Sequence, residues 1–356
     1  MNTLIEKRSN NSTAQPYVSA LDGIRGLAVL IVFMSHTSGR GMAITPWLNF
    51  HGIGHVGVYL FFVLSGFLLT KNLMNGQGTK AFIVRRFFRI VPLYYLVLIG
   101  VFILQALGHA NPLYLHFSSG LSGTALHFLF VKGDGIFWTI SAEFLFYLLL
   151  PAILLFTNRF GVIALAFAAI LYFVWYFSVF LGAPIPAPKI VGINHSGQFI
   201  DVFLCGVIAA FINRQVNHSA VALVFIVALL VTLIGVARSF LGFERELYDI
   251  RFASILYGAA FALTIVSVHQ GSRWLTPIMN NYVLRFMGVV GFGWYLLHFA
   301  VLQYVNTLAV PESWVRFIIS FGLTALISWL AFVLVEKPFI RIGHKLTSNL
   351  NTTAAR

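Results

Sequence analysis

Charged residues are scarce in this sequence: Asp, Glu, Lys and Arg make up 9% of its 356 residues, while 59% are hydrophobic. A soluble globular chain is about a quarter charged and about half apolar, so this composition excludes water as the main solvent. Apolar runs of about 20 residues, the length that crosses a bilayer, recur along the whole chain. The sequence therefore predicts an all-α polytopic membrane protein, with residues 1–356 forming a single membrane-embedded domain between short polar tails at 1–16 and 341–356.

Cysteine is nearly absent and acidic residues are few. The single cysteine, Cys205, excludes an internal disulfide, and nothing around it indicates a metal site, so we expect no metal. The formal net charge is +13, but the basic residues stand in short loops between apolar runs. This placement predicts a membrane orientation and contact with membrane lipids, and no nucleic-acid partner. An internal repeat is also lacking, which counts against many transporter folds.

Hydropathy predicts about ten transmembrane helices, at residues 17–38, 55–74, 90–108, 136–157, 160–181, 197–213, 219–239, 251–269, 286–308 and 314–335. An even number places both termini on one side. Most basic residues fall on that side: Lys7, Arg8, Lys71, Lys80, Arg85, Arg86, Arg89, Arg159, Arg214, Arg273, Arg285, Lys337, Arg341 and Lys345. Basic loops mark the cytoplasm, so we expect both termini there. The loop with Arg238, Arg245 and Arg251 fits this orientation less well, and residues 180–197 predict an irregular outer loop.

Ionisable side chains within apolar runs mark candidate functional positions, because each costs about 2.5 to 3.5 kcal/mol at the bilayer centre. They are Arg25, His36, Glu143, Asp201, His298 and Glu336. For Asp201 and His298 we favour interhelical hydrogen bonds over chemistry.

The first predicted helix carries a polar stripe. Arg25 and His36 are eleven residues apart, which puts them on one helical face about 16 Å apart. Asp22 is spaced to form an ion pair with Arg25. The unperturbed pKa of a histidine side chain is about 6.5, which suits His36 to accept a proton from a hydroxyl. The alternative is a histidine that caps its helix near the interface.

Three further groups have both a functional and a structural interpretation. Small residues on one side of the second helix, around Gly57 and Ser65, admit either an acyl chain or a neighbouring helix. The basic run 85–89 predicts either a clamp for phosphates or an anchor to anionic lipid headgroups. In the fourth helix, Glu143 and Tyr147 are one turn apart, so they can bond each other or point together into a cavity; Glu143 alone is as readily a structural tie to another helix.

Five motifs follow one another along the chain. They are LDGIRG at 21–26 with His36, FFVLSGF at 61–67, RRFFRIVP at 85–92, WTISAE at 138–143 and EKP at 336–338. In register, they resemble the motifs of the integral-membrane acyltransferases called acyltransferase family 3, and the resemblance covers most of the chain. One departure stands before His298, where the family often has Ser-Tyr and this chain has Gly291 and Phe292.

The resemblance implies an O-acyltransferase with a cytoplasmic acyl-CoA, usually acetyl-CoA, as donor substrate. The implied acceptor is a hydroxyl of an envelope glycan, such as an O-antigen, an exopolysaccharide or a lipid-linked precursor, at the outer face of a bacterial inner membrane. Its implied catalytic residues are His36 as general base, Arg25 as the group that orients or stabilises charge in the thioester route, and Glu143 lining the pocket or assisting proton transfer. We assign Arg85, Arg86, Arg89 and Ser65 to the donor, and Asp22, Trp138, Ser141 and Tyr147 to the substrate.

Two other functions stay open from the sequence. A proton-coupled transporter would use the histidines and carboxylates inside the membrane as a proton path. An assembly partner in an envelope complex would use the same side chains to join helices. If the chain is an acyltransferase, it either transfers directly to the acceptor or passes the group to a separate envelope protein.

Overall fold

The computed structural model describes residues 18–44, 49–108, 125–133, 135–180, 199–212, 214–240 and 252–348, with backbone alone at 173, 175–180, 234–240 and 252–253. Three predicted segments lie outside these ranges. They are the tail at 1–16, the outer loop from residue 181 to 197, and the loop that holds Arg245 and Arg251.

The described part of the chain is helical and contains no strand, which confirms the all-α prediction for these residues. In chain order the helices are α1 Ala20–Ser38, α2 Gly54–Met74, α3 Thr79–Ala106, α4 Trp138–Phe160, α5 Val162–Phe180, α6 Ile200–Ala210, α7 His218–Phe240, α8 Phe252–His269, α9 Leu275–Met279, α10 Tyr282–Val289, α11 Gly291–Asn306, α12 Ser313–Ala331 and α13 Lys337–Thr347. A 3₁₀ turn, Gly135–Phe137, precedes α4, and a π-helical turn, Phe332–Glu336, joins α12 to α13.

Nine of the ten apolar runs correspond to one described helix each, and the run at 286–308 corresponds to two. By length and composition, five of the described helical segments can cross a membrane: α1, α2, α3, Gly135–Phe160 and Ser313–Thr347. The pair α10 and α11 makes a sixth if it forms one broken span. The chain is thus an integral membrane protein by composition and helix length, and the ten-span count stays a prediction.

Two boundaries differ from the predicted ones. Helix α3 begins at Thr79, eleven residues before the predicted start of its span. Ala81 and Phe82, which precede the basic run 85–89, are buried and extend the packed side of the helix towards its start. Helix α13 covers residues 337–347, part of which was predicted as a polar tail, because Phe339, Ile342 and Leu346 alternate with basic residues at helical spacing.

The predicted continuous helix at 286–308 is wrong in one respect: α10 and α11 meet at an angle of 84° around Val290. Hydropathy does not reveal such a bend, because the residues on both sides of it are apolar. Glycines flank the bend, at Gly288 and Gly291, and glycine gives the backbone the conformational freedom that a sharp bend needs.

Helix α1 lies at the centre of the arrangement and contacts α2, α10 and α11. Its two motif glycines permit the close approach: a Cβ atom on Gly23 would lie 1.6 Å from the Met279 carbonyl oxygen, and one on Gly26 would lie 1.8 Å from that of Leu284. Gly57 also lets α2 pack closely against α1, since a Cβ atom there would lie 2.4 Å from the Ala28 carbonyl oxygen. Backbone-to-backbone packing of this kind needs small residues, and it fixes where α1 presents its polar stripe.

Candidate active site

Two adjoining cavities lie beside α1. The larger, of about 340 Å³, is called the histidine cavity here and is lined by Val32, Ser35, His36, His51, Gly52, Gly54, His55, Val58, Gly135, Ile136, Trp138, Tyr295 and Phe299. The smaller, of about 40 Å³, is called the apolar cavity and is lined by Ala28, Val29, Val32, Gly57, Val58, Phe61, Phe62, Thr139, Ile140, Glu143, Gly291, Phe292 and Tyr295. Val32, Val58 and Tyr295 line both, so the two cavities are neighbours that share these side chains as walls.

His36 stands in the wall of the histidine cavity. Its Nδ1 lies 2.8 Å from Nε2 of His298 on α11, and the two rings are stacked with centroids 5.1 Å apart and planes 10° from parallel. The side chain therefore bonds a neighbouring helix and does not cap α1. The interhelical hydrogen bond predicted for His298 is confirmed, and its partner is the candidate general base.

Arg25 and Asp22 form the predicted ion pair. Arg25 Nη1 donates to Asp22 Oδ1 at 2.8 Å, and both side chains are mostly buried. The Arg25 side chain also passes 3.8 Å from the position of a Cβ atom on Gly291, which lines the apolar cavity. Arg25 thus stands next to the apolar cavity, about 16 Å along α1 from His36.

Glu143 lies at the wall of the apolar cavity and joins two helices. Its Oε1 accepts hydrogen bonds from the hydroxyl of Tyr147, one turn further along α4, and from Ser65 Oγ of α2 at 3.2 Å. Of the two arrangements that the sequence left open, the structure shows the bond between Glu143 and Tyr147, and Glu143 also lines a cavity. Ser65 is therefore engaged with Glu143, and buried Ser141 Oγ has no hydrogen-bond partner among the described residues.

The arginines of the basic run 85–89 have two different surroundings. Arg86 lies over the ring of Tyr147, 5.9 Å from its centroid, and both Arg86 and Arg89 interact electrostatically with Glu143 and Arg25. Arg25, Arg86 and Arg89 are called the arginine cluster below. Arg85 is separate from this cluster, since its Nε donates to Thr347 Oγ1 of α13 at 2.8 Å.

Within the described ranges, the one ion pair closer than 4.0 Å is that of Arg25 with Asp22. Arg86 Nε is buried and has no hydrogen-bond partner among the described residues. A buried guanidinium group with an open donor is suited to bind an anionic ligand, because a bidentate acceptor such as a phosphate matches its fork of N–H groups.

Sequence reasoning overlooked several residues that line the histidine cavity. His51 lies three residues before α2 begins and His55 in its first turn, a spacing of four residues that was the available signal. Tyr295 precedes His298 by three residues. Trp138, which was predicted, lines the same cavity and contacts Phe62 edge to face. Among the described residues, no group of three His, Cys, Asp or Glu side chains is arranged to hold a metal ion.

The fold and these cavities define a helical membrane protein in which a histidine lines one cavity and a cluster of arginines stands near the glutamate that lines the neighbouring cavity. The sequence pattern of the family described as "Acyltransferase domain" matches residues 18–333. The chain belongs to this family of acyl-transferring enzymes, and the resemblance drawn from its five motifs is confirmed.

Individual relatives are similar over nearly the whole chain. A peptidoglycan O-acetyltransferase from Listeria monocytogenes is 25% identical over 93% of this chain and 57% of its own length. A putative O-acetyltransferase from Staphylococcus aureus strain COL is 26% identical over 92% of this chain and 58% of its own. A putative peptidoglycan O-acetyltransferase from Bacillus subtilis is 24% identical over 92% and 56%. The chain thus spans somewhat more than half the length of these relatives. No solved structure matches it.

Proposed function

We propose that the chain is a membrane O-acyltransferase that moves an acyl group, most simply acetyl, from acyl-CoA to a hydroxyl of an envelope glycan. The observation that carries the proposal is the arrangement of the two cavities. His36 lines the wider one, and Glu143 lines the narrower one beside the arginine cluster. A base and an anion-binding group thus stand at two neighbouring cavities that share three lining side chains.

The donor would occupy the apolar cavity. Its phosphates would contact Arg86 and Arg89, and the Arg86 Nε that has no partner among the described residues supports this assignment. The uncharged arm of the donor would pass between Phe61, Phe62 and Phe292. Arg25, held by Asp22, would orient the phosphate end, because about 16 Å separates it from His36 and from the reacting carbonyl.

The acceptor would enter the histidine cavity. Trp138 and Phe299 offer aromatic surfaces, and His51 and His55 offer polar groups, a combination that binds a sugar ring through both its apolar face and its hydroxyls. The relatives named as peptidoglycan O-acetyltransferases support an envelope glycan as the acceptor class. O-antigen, exopolysaccharide and a lipid-linked precursor remain acceptors of the same chemistry.

The reaction would take place where the two cavities share their walls. His36 accepts the proton of the acceptor hydroxyl as the oxygen attacks the thioester carbonyl. The tetrahedral intermediate then expels CoA as a thiolate, and His36 donates the acceptor's proton to the CoA sulfur. One C–O bond forms and one C–S bond breaks, so the products are an ester and free CoA, with no other reactant. The buried Glu143 helps to position the donor.

We also propose the orientation that this chemistry requires. Helix α1 would carry Arg25 towards the cytoplasm and His36 towards the outer face of a bacterial inner membrane, with ten spans and both termini in the cytoplasm. The acyl group would then cross the membrane during the reaction. Either the chain transfers it directly to the glycan or a partner protein in the envelope receives it.

Transfer of radiolabelled acetyl from acetyl-CoA into envelope material tests the proposal. Membranes with the wild-type protein should incorporate label, and His36→Ala should reduce it about 10²-fold to 10⁴-fold, the usual contribution of a catalytic base. His218→Ala is the matched control, because His218 is also half-buried but bonds Ser267 outside both cavities. Normal incorporation by His36→Ala would remove the base assignment. Substrate uptake that responds to pH but not to acetyl-CoA would favour the transporter instead.

A further inference from the structure

We propose that His298 is a positioning residue that holds His36 in the tautomer whose Nε2 is free to accept a proton. The proposal rests on the proposed function, since it concerns the base of that reaction. It follows from the hydrogen bonds that join His36, His298 and the backbone of α11.

The tautomer of His298 is set by backbone carbonyl groups. His298 Nδ1 lies 2.7 Å from the carbonyl oxygen of Tyr295 and 3.1 Å from that of Trp294. A carbonyl oxygen can only accept a hydrogen bond, so Nδ1 of His298 carries the proton. In a neutral imidazole the other nitrogen has no proton, and Nε2 of His298 must therefore act as an acceptor.

The tautomer of His36 follows from that of His298. Because Nε2 of His298 accepts, Nδ1 of His36 must donate across the 2.8 Å that separates them. The remaining nitrogen of His36, Nε2, then keeps its lone pair. That nitrogen lies 3.8 Å from the position of a Cβ atom on Gly54, a residue of the histidine cavity wall. The free lone pair is thus on the side of the ring where the acceptor hydroxyl would be.

The surroundings keep the His298 ring neutral and fixed. His298 is 1% exposed and is flanked by Phe33 and Phe299, with ring centroids 6.3 Å and 4.9 Å away. A second proton on His298 would place a charge in this buried position, which costs free energy, so His298 stays an acceptor for His36 Nδ1. The guanidinium of Arg40, 4.3 Å from the centre of the Phe299 ring, adds a positive charge nearby.

His298 therefore takes the place of an orienting carboxylate. In the reaction, His36 would receive the proton of the acceptor hydroxyl on Nε2 and pass it to the CoA sulfur. Its Nδ1 proton would keep the hydrogen bond to His298. The other tautomer of His36 would present an Nε2–H group to the acceptor, and a reversed ring would place a C–H group there. Neither could accept the acceptor's proton. In a comparable arrangement, loss of the orienting group lowers turnover through the wrong tautomer.

The same hydrogen bond also joins α1 to α11, so the test must separate positioning from stability. In the radiolabel assay, His298→Phe keeps a ring of similar shape and removes the acceptor for His36 Nδ1. We expect kcat to fall roughly 10-fold to 100-fold and the KM for acetyl-CoA to stay within about twofold. His298→Gln, whose amide oxygen can reach the position of Nε2, should recover most of the loss, and the shorter His298→Asn should not. His218→Phe is the control for the substitution itself.

A double-substitution cycle gives the second measurement. If His298 acts through His36, adding His298→Phe to His36→Ala should not lower the residual transfer further. Independent, multiplying losses would overturn the positioning role, as would a kcat of His298→Phe equal to that of the wild type. Equal losses in the Gln and Asn variants, proportional to the loss of folded protein, would assign His298 to helix packing. Absence of transfer by the wild type would contradict the proposed function itself, so the two failures are distinguishable.

Discussion

Gly288 of α10 lies directly against the backbone of Asp22 in α1: a Cβ atom on Gly288 would stand 1.8 Å from the Asp22 carbonyl oxygen. This contact places α10 beside the residue that holds Arg25. The break between α10 and α11 follows two residues later, at Val290, and α11 then carries His298 to His36. The contact of Gly288 with Asp22 thus lies on the segment of chain that leads from the Arg25 ion pair to the hydrogen bond between His298 and His36.

Gly288→Ala should therefore destabilise the protein. The neighbouring atom is backbone and cannot rotate away, so the helices must separate, at a cost of about 1 to 3 kcal/mol. The measurement is the midpoint of thermal unfolding in detergent, together with acetyl transfer by membranes. Gly322→Ala is the control, because Gly322 in α12 has nothing within 4 Å of its Cβ position, and alanine there should raise stability by about 0.5 to 1 kcal/mol. Equal midpoints for the two variants would contradict the packing argument.

The arginines should differ in their effect on donor binding. A charge-assisted hydrogen bond contributes about 1.5 to 3 kcal/mol, so Arg86→Ala and Arg89→Ala should each raise the KM for acetyl-CoA by roughly 10-fold to 100-fold. Arg85→Ala should raise it less, because Arg85 is bonded to Thr347. Lys80→Ala, an exposed basic residue at the start of the same helix, is the control. If the run only anchors lipid headgroups, KM will be unchanged in all four variants.

Tyr147→Phe removes the hydroxyl that donates to Glu143. The carboxylate would keep Ser65 as its remaining donor, and a buried acceptor that loses a partner costs about 1 to 3 kcal/mol. We expect lower stability together with lower acetyl transfer. Tyr257→Phe is matched to it, since the Tyr257 hydroxyl also bonds another side chain, Thr232, away from both cavities. Loss of transfer in both variants alike would argue against a specific role for the Glu143 group.

The sequence predicted the local part of the site well. Helical spacing is enough to pair Arg25 with Asp22 and Glu143 with Tyr147, because residues three or four apart are neighbours on a helix. Apolar runs located the helices for the same reason, since a bilayer demands a fixed length of apolar residues.

The contacts between distant segments could not be predicted. His36 and His298 are 262 residues apart, and no spacing rule relates them. The available signal was that both histidines lie in apolar runs. It led to the prediction of an interhelical hydrogen bond for His298, but it did not identify His36 as the partner. Arg85 was grouped with Arg86 and Arg89 from helical spacing, but the position of α13 decides that it bonds Thr347. The bend at Val290 likewise depends on the packing of Gly288 against another helix.

The orientation in the membrane gives the last prediction. In a Cys205→Ala protein, a cysteine at Asn75, between α2 and α3, should react with a membrane-impermeant maleimide only after the cells are opened. A cysteine at Ala309, between α11 and α12, should react in intact cells, provided that the reagent is admitted through the outer envelope. Both positions are exposed, so burial does not limit labelling. The reverse pattern would place His36 towards the cytoplasm, and the acceptor hydroxyl would then have to be cytoplasmic as well.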